Sequence, residues 1–104
     1  MSLPNSKELR QLRALAHALR PVVTVAGNGL SDSVLQEVDR ALSDHELIKV
    51  KITVGDRTHR ETIIGALCER SGALLVQRIG NIATLIRRNP AADPKKSNLK
   101  RAQS

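Results

Sequence analysis

A strand signal that runs directly into a glycine turn and a helix start constrains this sequence most. Residues 22–26 form an apolar, mostly β-branched run, and Gly27, Asn28 and Gly29 follow it. Ser31 then has the position of a helix N-cap, because its hydroxyl can accept a hydrogen bond from a backbone N–H of the first turn. Glycine lets a ligand approach the backbone closely, and a helix N-terminus carries roughly +0.5 of a charge. The segment predicts an α/β domain whose first loop can hold an anion.

Hydrophobic periodicity along the chain predicts the order α-β-α-β-α-β-β. We expect a first helix over residues 6–20 with a Ser6 cap and a second over residues 31–43 with a Ser31 cap. A third helix should run to about residue 71 and begin either at a Thr58–Glu61 capping box or at an Asp56 cap. The predicted strands cover residues 22–26, 47–54, 73–79 and 82–87. Helices between the first three strands imply crossover connections, and Gly80-Asn81 implies an antiparallel hairpin. The predicted fold class is a two-layer α/β domain with a four-stranded mixed sheet.

The length of 104 residues supports one domain. We assign residues 1–88 to it and predict a disordered basic tail over residues 89–104, where Pro, Asn, Ala, Lys and Ser dominate. The sequence shows no signal peptide and no long apolar run, and the single Cys68 excludes an internal disulfide. These features favour a cytoplasmic protein in which Cys68 is a small, inert core residue.

Charge restricts the class of partner. Seventeen Lys and Arg stand against ten Asp and Glu, for a net charge of +7. Chains this basic usually meet nucleic acid or anionic lipid, and no separate cationic amphipathic helix favours lipid. Phe, Tyr and Trp are all absent, which excludes base stacking on aromatic rings. Only the second predicted helix is acidic, so we expect RNA to dock away from it.

Cationic residues on the first predicted helix and second predicted strand are candidate phosphate contacts. Arg10, Arg13, His17 and Arg20 share one helical face, although an ordinary solvated face is the alternative, and His17 could instead bond a backbone carbonyl. Lys49 and Lys51 share one face of the strand. We interpret Lys51 as a residue that keeps the exposed face of the sheet soluble. For Lys49, this role and a phosphate contact both stay open. Arg87 and Arg88, with the tail lysines, fit a non-specific electrostatic tether.

Three segments together resemble a known family. They are residues 12–23 (Leu-Arg-Ala-Leu-Ala-His-Ala-Leu-Arg-Pro-Val-Val), Asn28-Gly29-Leu30, and residues 45–52 (His-Glu-Leu-Ile-Lys-Val-Lys-Ile). Over about residues 6–88 the chain resembles the YhbY-type CRM domain, named for chloroplast RNA splicing and ribosome maturation. The resemblance implies a fold similar to the C-terminal domain of translation initiation factor three. It also implies RNA binding without catalysis and association with precursors of the large ribosomal subunit.

The family's signature is a G-x-x-G loop after the first strand, likened to the backbone-clamping loop of KH domains. Here Ala26 stands at the first glycine and Gly29 at the second, with Gly27 displaced by one. Alanine disfavours φ > 0, so a loop that needs it there would change shape. Backbone N–H groups of this loop should hold a phosphate, with Asn28 adding a side-chain donor; a tight turn without a ligand is the alternative. The predicted RNA-binding residues are Arg10, Arg13, His17, Arg20, Ala26, Gly27, Asn28, Gly29, Lys49 and Arg87.

No catalytic or metal-binding pattern is visible in the sequence. The three histidines and Cys68 lack metal-ligand spacing, and no phosphate-binding glycine motif or nucleophile elbow occurs. We therefore expect no cofactor, no small-molecule substrate and no membrane partner. Together with the family resemblance, which implies precursor RNA of the large ribosomal subunit as the partner, the leading interpretation is a monomeric RNA-binding protein. The alternatives are a general RNA chaperone and a protein–protein adaptor that uses the acidic second helix.

Overall fold

A computed structural model describes residues 3–27 and 29–99. Its elements are α1 (Ser6–Ala16), β1 (Pro21–Val25), α2 (Asp32–His45), β2 (Leu47–Ile52), α3 (Arg57–Ser71), β3 (Leu74–Ile79) and β4 (Ile82–Ile86). The strands form one sheet in the order β1-β2-β4-β3. β1 runs parallel to β2, whereas β4 runs antiparallel to both β2 and β3. The predicted α/β class with a four-stranded mixed sheet is confirmed.

Local hydrogen bonding sets the ends of α1. The cap is Asn5 and not Ser6, because the Asn5 side chain accepts from the Glu8 N–H at 2.8 Å while Glu8 accepts from the Asn5 N–H at 3.3 Å. This reciprocal pair is a capping box. The helix ends at Ala16 and not near residue 20, since Pro21 disfavours helical geometry in the residue before it. The Leu19 N–H instead donates to the Ala16 carbonyl in a tighter final turn.

The other two helices are also bounded by their caps. Ser31 caps α2 as predicted, its hydroxyl accepting from the Val34 N–H at 3.2 Å. Asp56 caps α3 by accepting from the His59 N–H at 2.8 Å, so the alternative Thr58–Glu61 capping box is wrong. Gly72 ends α3 with φ of 76°, a left-handed conformation that glycine adopts without strain.

Helices pack on both faces of the sheet, so the molecule has three layers where two were predicted, and the two helical layers differ in size. On one face α2 and α3 pack over the main core, whose sheet residues include Val25, Ile48, Val50 and Leu85. On the other face α1 packs through Leu12 and Ala16 against a smaller cluster, completed by Leu47, Val76 and Ile86. Because Leu47, Val76 and Ile86 lie towards one end of the sheet, Thr24, Lys51 and Ile79 at the other end of this face stay exposed.

Residues 89–99, for which the sequence predicts a disordered basic tail, contact the folded domain in the structure. Glu46, fully buried at the α2–β2 junction, accepts from the Asn89 N–H at 2.6 Å and from the Ser97 hydroxyl at 2.9 Å. The Asn98 side chain donates to the Leu47 carbonyl at 2.7 Å, and Leu99 packs on the α1 cluster. Polar composition suggested disorder, but these groups bond the buried Glu46 carboxylate and the Ser43 and His45 carbonyls at the end of α2. Residues 100–104 lie outside the described residues.

Candidate functional site

The cationic stripe of α1 and the turn after it is open to solvent. Arg10, Arg13, His17 and Arg20 are all exposed, and none forms an ion pair with an acidic residue in the part of the chain that the structure describes. Glu8 is the one carboxylate on α1, and it is engaged by the Asn5 N–H and by Arg88 at 3.4 Å. The stripe therefore presents positive charge that no neighbouring carboxylate offsets.

The loop at the carboxyl end of β1 has a defined turn. The Gly29 N–H donates to the Ala26 carbonyl at 2.7 Å, and Gly29 adopts φ of 64°. Because the Gly29 N–H already donates within the loop, the predicted phosphate contact would have to use other N–H groups of the loop. Ala26 does not have a positive φ, so alanine at the first glycine position carries no strain. Asn28, the predicted side-chain donor, lies outside the described residues.

A small cleft adjoins this loop at the start of α2. It has a volume of about 270 Å³ and is lined by Thr24, Ala26, Gly27, Gly29, Ser31, Ser33 and Val34. The first turn of a helix presents unpaired N–H groups and a positive dipole end, which favour an anion. Asp32 lies in the same turn and opposes that effect with its own charge. The loop is accessible, but the α1 stripe is the stronger electrostatic feature.

Lys49 and Lys51 project from the face of the sheet on which α1 lies. Ile48, Val50 and Ile52 point into the main core, so the alternating lysines point the other way. Lys49 is half-buried and paired with Thr84 of β4, whereas Lys51 is exposed and paired with Thr24 of β1. None of the four strands contains Asp or Glu.

Arg87 belongs to the interior framework of the α2–α3 layer. Its guanidinium donates to the Asp39 carboxylate at 2.8 Å, the Asp39 carbonyl at 3.0 Å, the Ser43 hydroxyl at 2.9 Å and the Ser71 carbonyl at 2.8 Å. These bonds join α2 and the last residue of α3 to the residue that follows β4, and they engage both terminal nitrogens of the guanidinium. The structure does not bring Arg87 together with the other predicted site residues.

The α2–α3 layer pairs much of its charge internally. Glu61 contacts Arg78 at 3.0 Å and Arg57 at 3.7 Å, and Asp39 contacts Arg87. Burial raises the pKa of the Cys68 thiol above its ordinary value, which keeps it neutral. Within residues 3–27 and 29–99 no group of His, Cys, Asp and Glu could hold a metal ion. No helix in those ranges is both long and apolar enough to cross a membrane.

Sequence reasoning missed two residues that shape the site. Glu46 adopts φ of 63° as the C-cap of α2 and anchors the segment that carries Leu99 onto α1. Thr24 is exposed beside Lys51 on the open sheet face. Strand alternation in residues 22–26 could have assigned Thr24 to the face opposite the main core. Glu46 falls within the family-like segment 45–52, but no local pattern reveals its structural role, because its partners Asn89 and Ser97 are 43 and 51 positions later in the sequence.

The family-model match and the sequence relatives of this chain indicate the same family. A model of the CRS1/YhbY (CRM) domain matches residues 5–87. A protein of Pseudomonas aeruginosa, named as a probable RNA-binding protein, is 43% identical over 95 residues, covering 91% of each chain. An RNA-binding protein of Haemophilus influenzae is 45% identical over 87 residues, covering 84% of this chain and 88% of the relative.

The fold comparison agrees with the sequence comparison. The solution structure of a hypothetical protein from Staphylococcus aureus, described as a candidate RNA-binding protein, has a TM-score of 0.75 and 26% identity to this chain. The match covers 88% of this chain and 95% of that one. Family match, close relatives and shared fold together identify the chain as a member of the CRS1/YhbY (CRM) domain family.

Proposed function

We propose that this protein binds RNA without catalysing a reaction, and that it acts as a monomeric cytoplasmic factor in assembly of the large ribosomal subunit. Its relatives named as RNA-binding proteins support the first part. The resemblance of its motifs to ribosome-maturation domains motivates the second. The observation that carries the proposal is the cationic stripe Arg10, Arg13, His17 and Arg20 on α1 and the turn after it, which is exposed and forms no ion pair within residues 3–27 and 29–99.

Phosphate contacts supply the affinity in this proposal. Guanidinium groups can form bidentate hydrogen bonds with phosphate oxygens, and each contact releases condensed counterions from the RNA. The loop around Gly27 lies at the other end of β1, about 20 Å from Arg20 at about 3.3 Å per residue. Two separated phosphate-binding elements would fix the orientation of a folded RNA better than one.

Shape and backbone would provide the discrimination between RNAs. The chain has no aromatic residue on which a base could stack. Recognition of paired RNA depends mainly on phosphates, 2′-hydroxyls and helical shape across the minor groove. We therefore expect preference for a folded RNA element over an unstructured strand of equal length.

A salt titration and a sedimentation experiment test the two parts separately. With about five phosphates neutralised, the logarithm of the association constant should fall with log salt at a slope of roughly −3.5 to −4.5. A slope near zero would reject phosphate-driven RNA binding. In cell extracts the protein should sediment with precursors of the large subunit. Binding to all structured RNAs alike, without that co-sedimentation, would favour a general RNA chaperone.

A further inference from the structure

We propose that bound RNA crosses the open half of the sheet face beside α1, and that Lys51 and Thr24 contact it there. This inference rests on the proposed RNA-binding function and adds a surface that joins its two separate elements. Sequence reasoning favoured simple solubility for Lys51 and did not consider Thr24. The placement of both residues in the sheet changes that interpretation.

The open area is a row of side chains at the end of the sheet that α1 does not reach. Direct strand pairing places Thr24 beside Lys51, Lys51 beside Ile82, and Ile82 beside Ile79. Thr24 and Lys51 are exposed, and Ile79 is 68% exposed at the edge of the sheet. Two residues earlier on β2, Lys49 lies on the same face, with its Cα about 6.6 Å from that of Lys51.

The charge of this face selects a polyanion as its occupant. No strand carries a carboxylate, and the one on α1, Glu8, is held by Arg88. Lys51 forms no ion pair in the part of the chain that the structure describes, in contrast to Arg78, whose side chain on the opposite face contacts Glu61 at 3.0 Å. A lysine ammonium with three donors and a threonine hydroxyl are both suited to phosphate or 2′-hydroxyl oxygens.

The position of the row makes it a bridge between the two phosphate-binding elements. Pro21, which follows Arg20, pairs with Lys49, and Thr24, which lies two residues before Ala26, pairs with Lys51. The lysines thus lie between the residue that ends the cationic stripe and the loop that lines the cleft. An RNA backbone that touches both elements on this side of the sheet passes over Lys49 and Lys51.

The test compares three single neutralisations in binding to a fluorescein-labelled RNA hairpin, measured by fluorescence anisotropy over a range of KCl concentrations. Lys51→Gln tests the bridge, Arg13→Gln tests the α1 stripe, and Arg40→Gln is the matched control, since Arg40 is an exposed cation on α2. Loss of one phosphate contact should weaken binding about five- to eightfold near 0.1 M salt and reduce the slope by about 0.7 to 0.9. We expect that result for Lys51→Gln and less than a twofold change for Arg40→Gln.

A photocrosslinking readout tests Thr24 without removing a charge. Thr24→p-benzoylphenylalanine should crosslink to the hairpin, whereas the same substitution at Glu69, exposed on α3, should not. The inference would be overturned if the Lys51→Gln variant bound the hairpin as tightly as the Arg40→Gln variant and position 24 gave no crosslink. If Arg13→Gln still weakened binding, the proposed function would stand. Absence of salt-dependent binding by the wild-type protein would instead reject the proposed function itself.

Discussion

The two faces of the sheet differ in how their charged side chains are paired and exposed. On the α2–α3 side, Asp39 is paired with Arg87, and Glu61 is paired with Arg78 and Arg57. On the α1 side the strands have no carboxylate, and the cations of the helix and of β2 stay exposed, apart from the half-buried Lys49. The α1 side of the sheet therefore carries an excess of exposed positive charge.

The two layers also differ in what their arginines do. Arg87 uses its guanidinium to join α2 to the end of α3, and that side chain is only 21% exposed. Arg13 and Arg20 have no such role, since they are exposed and have no carboxylate partner among the described residues. Burial and pairing separate a structural arginine from one that is available to a ligand, which net charge alone cannot do.

Charge reversal on each layer is the strongest test of this difference. Arg13→Glu with Arg20→Glu should weaken RNA binding by about 25- to 60-fold near 0.1 M salt, because two phosphate contacts are lost. Arg40→Glu with Arg70→Glu makes the same change in net charge on the α2–α3 layer and should have a much smaller effect. Anisotropy titrations measure both. Equal losses would mean that the protein binds through its overall charge rather than one face.

Arg87→Ala should damage stability and spare binding. Its hydrogen bonds to two backbone carbonyls, a hydroxyl and a carboxylate are partly buried, so we expect a loss of about 1 to 2 kcal/mol in the free energy of unfolding. Urea denaturation measures the loss, and anisotropy should show unchanged RNA affinity in the folded variant. A stable variant with weakened RNA binding would return Arg87 to the RNA-binding surface.

Ala26→Gly tests whether the loop needs the family's first glycine. Because Ala26 already has an ordinary φ, the substitution should leave RNA affinity within about twofold. It should lower the free energy of unfolding by about 0.4 to 1 kcal/mol, since glycine increases the entropy of the unfolded chain. A clear gain in RNA affinity would show that alanine restrains the loop.

The smallest expected effect is the contribution of the Cys68 thiol, on the α2–α3 side, to the pH dependence of stability. Burial raises the pKa of its thiol, so the native thiol stays protonated at a pH where the unfolded thiol, with an ordinary cysteine pKa, begins to ionise. Above that pH the unfolded state binds fewer protons than the native state, so stability should fall slightly as pH rises. Iodoacetamide should alkylate the folded protein at pH 8 more slowly than the urea-unfolded protein. Equal rates would contradict the burial of this thiol.

Local patterns predicted the framework, and nonlocal pairing determined the rest. The alternation in β2 and the Ser31 cap are visible within a few residues, so element order and sheet composition followed from the sequence. Asn5 and Glu8 also have capping-box spacing, a local signal that the prediction of a Ser6 cap overlooked. The role of Arg87 depends on Asp39, 48 positions earlier, and the order of residues 89–99 depends on the buried Glu46. No periodicity or composition reveals such partners.

Backbone amide chemical shifts during titration with a structured RNA test the central claim most directly. The account predicts the largest changes along the face that includes Arg10, Arg13, Arg20, Gly27, Lys49 and Lys51, with the amides of α2 beyond its first turn nearly unchanged. Large changes along Glu37, Arg40 and Asp44, with the α1 stripe undisturbed, would contradict it and place the contact on the acidic helix.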